Sequence, residues 1–159
     1  MCRVHPVLLL KTVHLLAASV FFGVSLANGL LKTAADRNGD WLRRDWAMQQ
    51  ILLNNRLFIL PAALLLPATG LVQALMGEHS LTQGWLPPAI LLYAVLVAIL
   101  AWSFRAESAL ARLAHSAAAD DAQAQAEYIS LSRRWSVAGL IATVTMVAVF
   151  LLMVTRGSL

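Results

Sequence analysis

Charge is scarce in this chain. Of its 159 residues only 13% are charged, 12 Lys or Arg against 8 Asp or Glu, where a soluble domain carries about 25%. That scarcity excludes a disordered chain and a nucleic-acid-binding arm, both of which live on dense charge. Cysteine is nearly absent too. Cys2 stands alone, so no disulfide framework holds the fold. What is abundant is apolar surface. Sixty per cent of the residues are hydrophobic, against about 45–50% in soluble domains. A chain this short has too little interior to hide so many apolar side chains from water. The alternative solvent is lipid.

A bilayer core needs about 20 consecutive apolar residues of helix, and four such runs are present, at roughly 7–31, 57–76, 85–104 and 136–154. Backbone polar groups in lipid must be satisfied within the segment, so the runs read as helices and not strands. Pro61, Pro67, Pro87 and Pro88 are no objection, since membrane helices tolerate proline. Arg3 and the stretch SLANG give the first run a faint likeness to a cleaved leader. Lys11 and His14 interrupt its apolar core, however, and it is long enough to span.

Asn38-Gly39 is a turn signal, and Asp40 is placed to cap a helix starting at Trp41. Asp120-Asp121 is placed to cap one running into the fourth span. The two long connections therefore extend the membrane helices beyond the bilayer. The expected fold is all-α: a single domain, a four-helix antiparallel transmembrane bundle with helices prolonged on one side.

Nine of the twelve basic residues lie in those connections: Lys32, Arg37, Arg43, Arg44, Arg56, Arg105, Arg112, Arg133 and Arg134. The positive-inside rule places them in the cytoplasm and both termini outside. The basic balance then reflects topology and attraction to anionic lipid, with no nucleic-acid partner. Trp41, Trp46, Trp85, Trp102 and Trp135 fall near span ends, as an interfacial aromatic belt would.

Polar residues inside the spans fall in stripes. In the first, Lys11, His14, Ala18, Phe21, Ser25, Asn28 and Lys32 step by three and four and share a face. Asn55, Ala62, Thr69 and Gln73 do the same in the second. Ser136, Gly139, Thr143, Met146, Phe150 and Met153 follow in the fourth. Small and polar residues at this spacing pack membrane helices together. Lys11 and Lys32 sit at opposite ends of their span and can snorkel to the interfaces.

His14 cannot snorkel far. An ionisable residue at membrane depth is a functional candidate by default. Imidazole ligates haem iron, copper and zinc, and it titrates near neutral pH. A metal or haem ligand, a polar packing residue and a proton relay are the three readings open for it. At 1.5 Å per residue His14 lies roughly 10 Å deep, in a layer with Thr69, Gln73 and Met146, and with Met153 nearer the surface. Met146, Met153 or a residue from a partner chain is then the candidate second ligand for an iron held by His14. His5, His79 and His115 fall outside the spans. One histidine with Cys2 is too few for zinc. No acidic residue falls inside a span, which argues against a carboxylate relay.

Three stretches carry a family likeness: LLLKTVHLLAASVFFG, NRLFILPAALLLPATGL and RRWSVAGL. With them the chain resembles domain of unknown function family 2269, predicted integral membrane proteins, over essentially its whole length. More distantly it is similar to the membrane protoporphyrinogen oxidases and to the copper-resistance protein D membrane domain. Both carry a first-helix histidine in a comparable setting. The resemblance implies that His14 is a cofactor ligand, for haem b in the oxidase case, in a bacterial inner membrane. The oxidases also use a lysine in a later helix. This chain has none after Lys32, so that activity is not carried over, and whether the chain is an enzyme stays open. The copper relative implies Met and His ligands, yet no Met-x-x-Met or His-rich tract is present. The expected function is haem b binding at His14 with a redox or haem-handling role. The alternatives are a cofactor-free subunit of a larger membrane complex, a copper-handling protein and, last, a metal-ion or small-solute transporter; the partners expected are the lipid bilayer and either a second copy of the chain or a larger membrane complex.

The charge asymmetry makes a direct prediction. Alkaline phosphatase, which needs an oxidising compartment for its disulfides, should be active when fused after Leu159 and inactive when inserted after Ala118. The reverse pattern overturns the orientation.

Overall fold

The computed structural model describes residues 6–76 and 86–155. Helix α1 spans Pro6–Asn38, α2 Trp41–Asn54, α3 Leu60–Met76, α4 Leu86–Ala117 and α5 Ala122–Thr155. A π-helical segment, π1 at Asn55–Ile59, joins α2 to α3 without a break. There is no strand among the described residues. Four stretches, Val7–Asn38, Trp41–Met76, Leu86–Ala117 and Ala122–Thr155, are long and apolar enough to cross a bilayer. The all-α four-helix membrane bundle is therefore the observed architecture. The helices run well past the predicted spans at the charged end, as the capping signals require. Cys2, His5, His79 and Trp85 lie outside the described residues.

The turns follow their chemistry. α1 stops at Gly39, whose φ of 73° is a left-handed conformation that costs glycine nothing. Asp40 then caps α2 by accepting the Leu42 N–H at 3.0 Å. Between α4 and α5, Asp120 takes φ 64°, which aspartate tolerates better than most residues. Asp121 is the cap, accepting the N–H groups of Gln123 and Ala124 at 3.0 and 3.1 Å.

Two clusters hold the bundle. Within the bilayer Phe21, Ile59, Ala62, Leu96 and Met146 pack together, while Leu15, Leu16, Leu30, Leu64, Leu91, Leu140 and Val144 are exposed and meet acyl chains. Beyond it, Met48, Ile51, Leu110, Ala111, Ala114 and Tyr128 make a second core from α2 and the ends of α4 and α5. That second core resembles the interior of a small soluble domain.

One hydrogen bond shows how strictly lipid enforces satisfaction of the backbone. Pro67 lies inside α3 and has no N–H, so the carbonyl of Ala63 loses its usual helical partner. The Tyr93 hydroxyl of α4 donates to that carbonyl at 2.6 Å. Tyr93→Phe should therefore lower stability by about 1–3 kcal/mol, the cost of a stranded buried acceptor. In a Pro67→Ala background, where the main chain supplies the donor again, most of that loss should vanish. Unfolding of the four variants in detergent micelles tests this, and an equal loss in both backgrounds refutes it.

Candidate functional site

α1 and α3 face each other along the striped positions. His14 Nδ1 lies 2.7 Å from the Thr69 hydroxyl, and Asn28 donates to Asn55 at 3.0 Å. The two contacts are fourteen residues apart on each helix, with Phe21 and Ala62 in a shared cluster between them. The stripes read from spacing are thus interior faces, except that Lys11 and Ser136 are exposed.

The His14 contact is directional. The Thr69 hydroxyl donates to the Leu65 carbonyl at 2.6 Å, so it accepts from the imidazole. A ring protonated on Nδ1 in this contact keeps its lone pair on Nε2. The Leu66 main chain is a second hydrogen-bond partner of the ring, also from α3. Gly70 approaches the ring edge. A Cβ at that position would sit 3.4 Å from His14 Cε1, so glycine leaves this flank of the imidazole uncrowded. Gln73 donates to the Thr69 carbonyl at 3.2 Å, turning its amide back along α3.

The methionines lie elsewhere. Met146 belongs to the apolar cluster with Phe21, Ile59, Ala62 and Leu96. Phe150 meets Phe22 edge-on, with centroids 5.8 Å apart, eight residues along α1 from His14. Met153, half-buried one turn further on α5, does not reach the His14 level. Among the described residues no group of three or more His, Cys, Asp or Glu could hold a metal ion.

The densest polar arrangement is at the charged end, and spacing did not reveal it. Lys32 does not snorkel to the interface: it is 1% exposed. Its ammonium donates to Asp36 at 2.6 Å and to Ser132. It also lies 5.3 Å from the ring centroids of both Tyr128 and Trp135. Asp36 collects further donors, the Tyr128 hydroxyl at 2.9 Å and the Ser132 hydroxyl at 3.0 Å. Arg44 donates from Nη2 to the Asp36 main-chain carbonyl at 2.9 Å and stacks 4.2 Å above Trp41. Trp135 and Trp41 are therefore parts of this cluster, whereas Trp46 and Trp102 remain exposed as belt residues would.

A buried carboxylate adjoins it. Glu107 is 5% exposed and accepts from Trp135 Nε1 at 2.9 Å and from the Asn55 amide. Asn55 accepts in turn from Asn28, and Asn28 from Asn54 at 2.8 Å. The chain of amides ties α1, α2, π1, α4 and α5 together. Glu107 falls just beyond the third apolar run, where the hydropathy of the sequence does not mark it. The available signal was its place in the stripe Glu107, Leu110, Ala111, Ala114 and Ala117, all buried. The chain thus carries a buried acid just beyond the third predicted span. π1 sits where Asn55 meets it, and such segments recur at functional positions in helices.

The profile of a family described as predicted integral membrane proteins (DUF2269) matches residues 8–157. The chain belongs to that family. No curated protein and no solved structure matches it significantly. Family membership and four long apolar helices together establish an integral, multi-pass membrane protein in contact with lipid.

The Lys32–Asp36 pair makes a quantitative prediction. Removing Asp36 leaves the buried Lys32 ammonium without its counterion, at a cost of about 3–5 kcal/mol. Asp36→Ala should destabilise the detergent-solubilised protein by that order. The double variant Lys32→Met with Asp36→Leu should recover most of the loss. Thermal unfolding measures both, and a double variant no more stable than Asp36→Ala refutes the argument.

Proposed function

We propose that this membrane protein holds one b-type haem through His14 and serves a redox or haem-handling role, with both termini on the outer face of a bacterial inner membrane. The observation that carries the reading is the oriented imidazole. Thr69 holds Nδ1 at 2.7 Å, and the ring's described partners, Thr69 and the Leu66 main chain, both belong to α3. Fixing one ring nitrogen so that the other can ligate is how proteins prepare a metal-binding histidine. The distant resemblance to families with a first-helix histidine points the same way.

The donor set fits a group that asks for one imidazole. Met146 is engaged in the apolar cluster, so the chain offers iron a single strong ligand among the described residues. An exchangeable ligand or a second copy would complete the coordination. When bound, haem iron supplies one-electron chemistry that the side chains here lack. The chain's own contribution is to hold the ring through Thr69, keep its flank open at Gly70 and exclude water with the surrounding apolar faces. Gln73 supports Thr69 from the next turn, and Lys11, exposed one turn nearer the end of α1, places a cation near the membrane surface.

A second reading is favoured by the same hydrogen bond taken alone. His14 pinned to Thr69 is also a sufficient way to pack α1 on α3, and the protein is then a cofactor-free subunit of a larger membrane complex.

The absorption spectrum of protein purified from haem-replete cells separates them. A Soret band is expected in the native chain and should vanish in His14→Ala. In Thr69→Ala haem affinity should fall about 10–100-fold, the usual effect of removing a ligand's orienting partner. A colourless protein that co-purifies stoichiometrically with another complex overturns the haem reading and supports the second. Copper without haem supports a copper-handling role.

A further inference from the structure

A groove of about 440 Å³ runs between α4 and α5. It is lined by Ala98, Ile99, Trp102, Arg134, Val137, Ala138 and Ile141. The volume falls within the range of small-ligand sites, about 300–1,000 Å³. Its shape follows from the sequence. Ala98 on α4 and Ala138 on α5 are too small to fill the seam between helices, while Ile99, Val137 and Ile141 wall it with hydrocarbon. From Arg134 to Ile141 it extends roughly 10 Å along α5, at 1.5 Å per residue.

The two ends differ in chemistry. The inner end is wholly apolar and lies within the fourth span. The outer end holds Arg134 and the indole of Trp102, at the level where the helices leave the bilayer. Arg105 follows Trp102 by three residues and so lies one turn beyond it on the same face of α4. Arg134 and Arg105 are both exposed, and neither forms an ion pair with a described residue. Their neighbour Arg133 instead lines the polar cleft beside Asp36 on the other flank of α5.

We propose that this groove is a binding site for a single anionic glycerophospholipid, one acyl chain seated between α4 and α5 and the phosphate held by Arg134 and Arg105. A hydrocarbon slot that opens on uncompensated guanidinium groups at headgroup depth matches the two halves of such a molecule. A neutral protein helix in the slot would leave both arginines unanswered. Guanidinium also pairs with phosphate through two parallel N–H bonds, a geometry lysine lacks.

Native mass spectrometry of the detergent-solubilised chain, titrated with phosphatidylglycerol and separately with phosphatidylcholine, tests the site. The native chain should retain one phosphatidylglycerol at least tenfold more tightly than phosphatidylcholine. Arg134→Gln with Arg105→Gln should erase that preference. Ala138→Leu with Ala98→Leu fills the slot from both sides and should abolish retention of either lipid. Brominated phosphatidylglycerol should quench the native fluorescence more than that of Trp102→Phe, a readout that does not depend on the filled variant folding. Three results each overturn the proposal: retention unchanged in both double variants, equal displacement by inorganic phosphate alone, or a dimer that the filled variant splits into monomers.

Discussion

A polar group inside a bilayer has no water to turn to, and every feature of this bundle answers that constraint. The Ala63 carbonyl freed by Pro67 is met by Tyr93 from another helix. Thr12, Thr33, Ser108, Ser136, Thr143 and Thr145 fold their hydroxyls back onto carbonyls four residues earlier. His14 meets Thr69 across α1 and α3, and Asn28 meets Asn55 across α1 and π1. Between membrane helices the hydrophobic effect supplies no attraction, because acyl chains are as apolar as leucine. Polar pairs and close packing therefore decide which helices are neighbours.

The constraint also explains where the polar residues are concentrated. The cluster around Lys32, Asp36, Arg44, Tyr128 and Ser132, and the amides leading to Glu107, lie where the helices emerge into the charged connections. There a few charges can be shielded by protein on all sides while headgroups and water remain near. Two aromatic rings flank the Lys32 ammonium and replace part of its lost hydration. The Glu107 carboxylate, with no cation paired to it among the described residues, relies instead on the indole and amide N–H groups.

The architecture and the inward faces were legible because both rest on local periodicity. Run length specifies spans, and steps of three and four specify a face. Asp40 and Asp121 marked helix starts because an N-cap needs only its own residue and the next two. The polar cluster was not legible for a matching reason. Its members come from α1, α2, α4 and α5, and Lys32 and Ser132 are a hundred positions apart in sequence. A lysine at a span end looks like one that snorkels unless the partner that buries it is known. Glu107 lies three residues past an apolar run, where counting charges assigns it to solvent. Met146 shares the helical phase of the interior but not the depth of His14, and spacing along one helix says little about height on another.

The π-turn at Asn55–Ile59 has a further consequence. Interior positions on this rod follow at Ile51, Asn55, Ile59 and Ala62, with two successive steps of four that an ordinary α-helix would carry off the face. The Leu60 N–H reaching back five residues to the Asn55 carbonyl adds the extra length per turn that keeps them aligned. The segment thus acts as a phase adjuster between the part of the rod in the charged layer and the part in hydrocarbon. Shortening the chain there by one residue would rotate α3 by about 100° relative to α2. Thr69 would swing away from His14 while the α2 contacts stayed in place. The orientation of one imidazole is in this sense written two helical segments away, in the pitch of five residues.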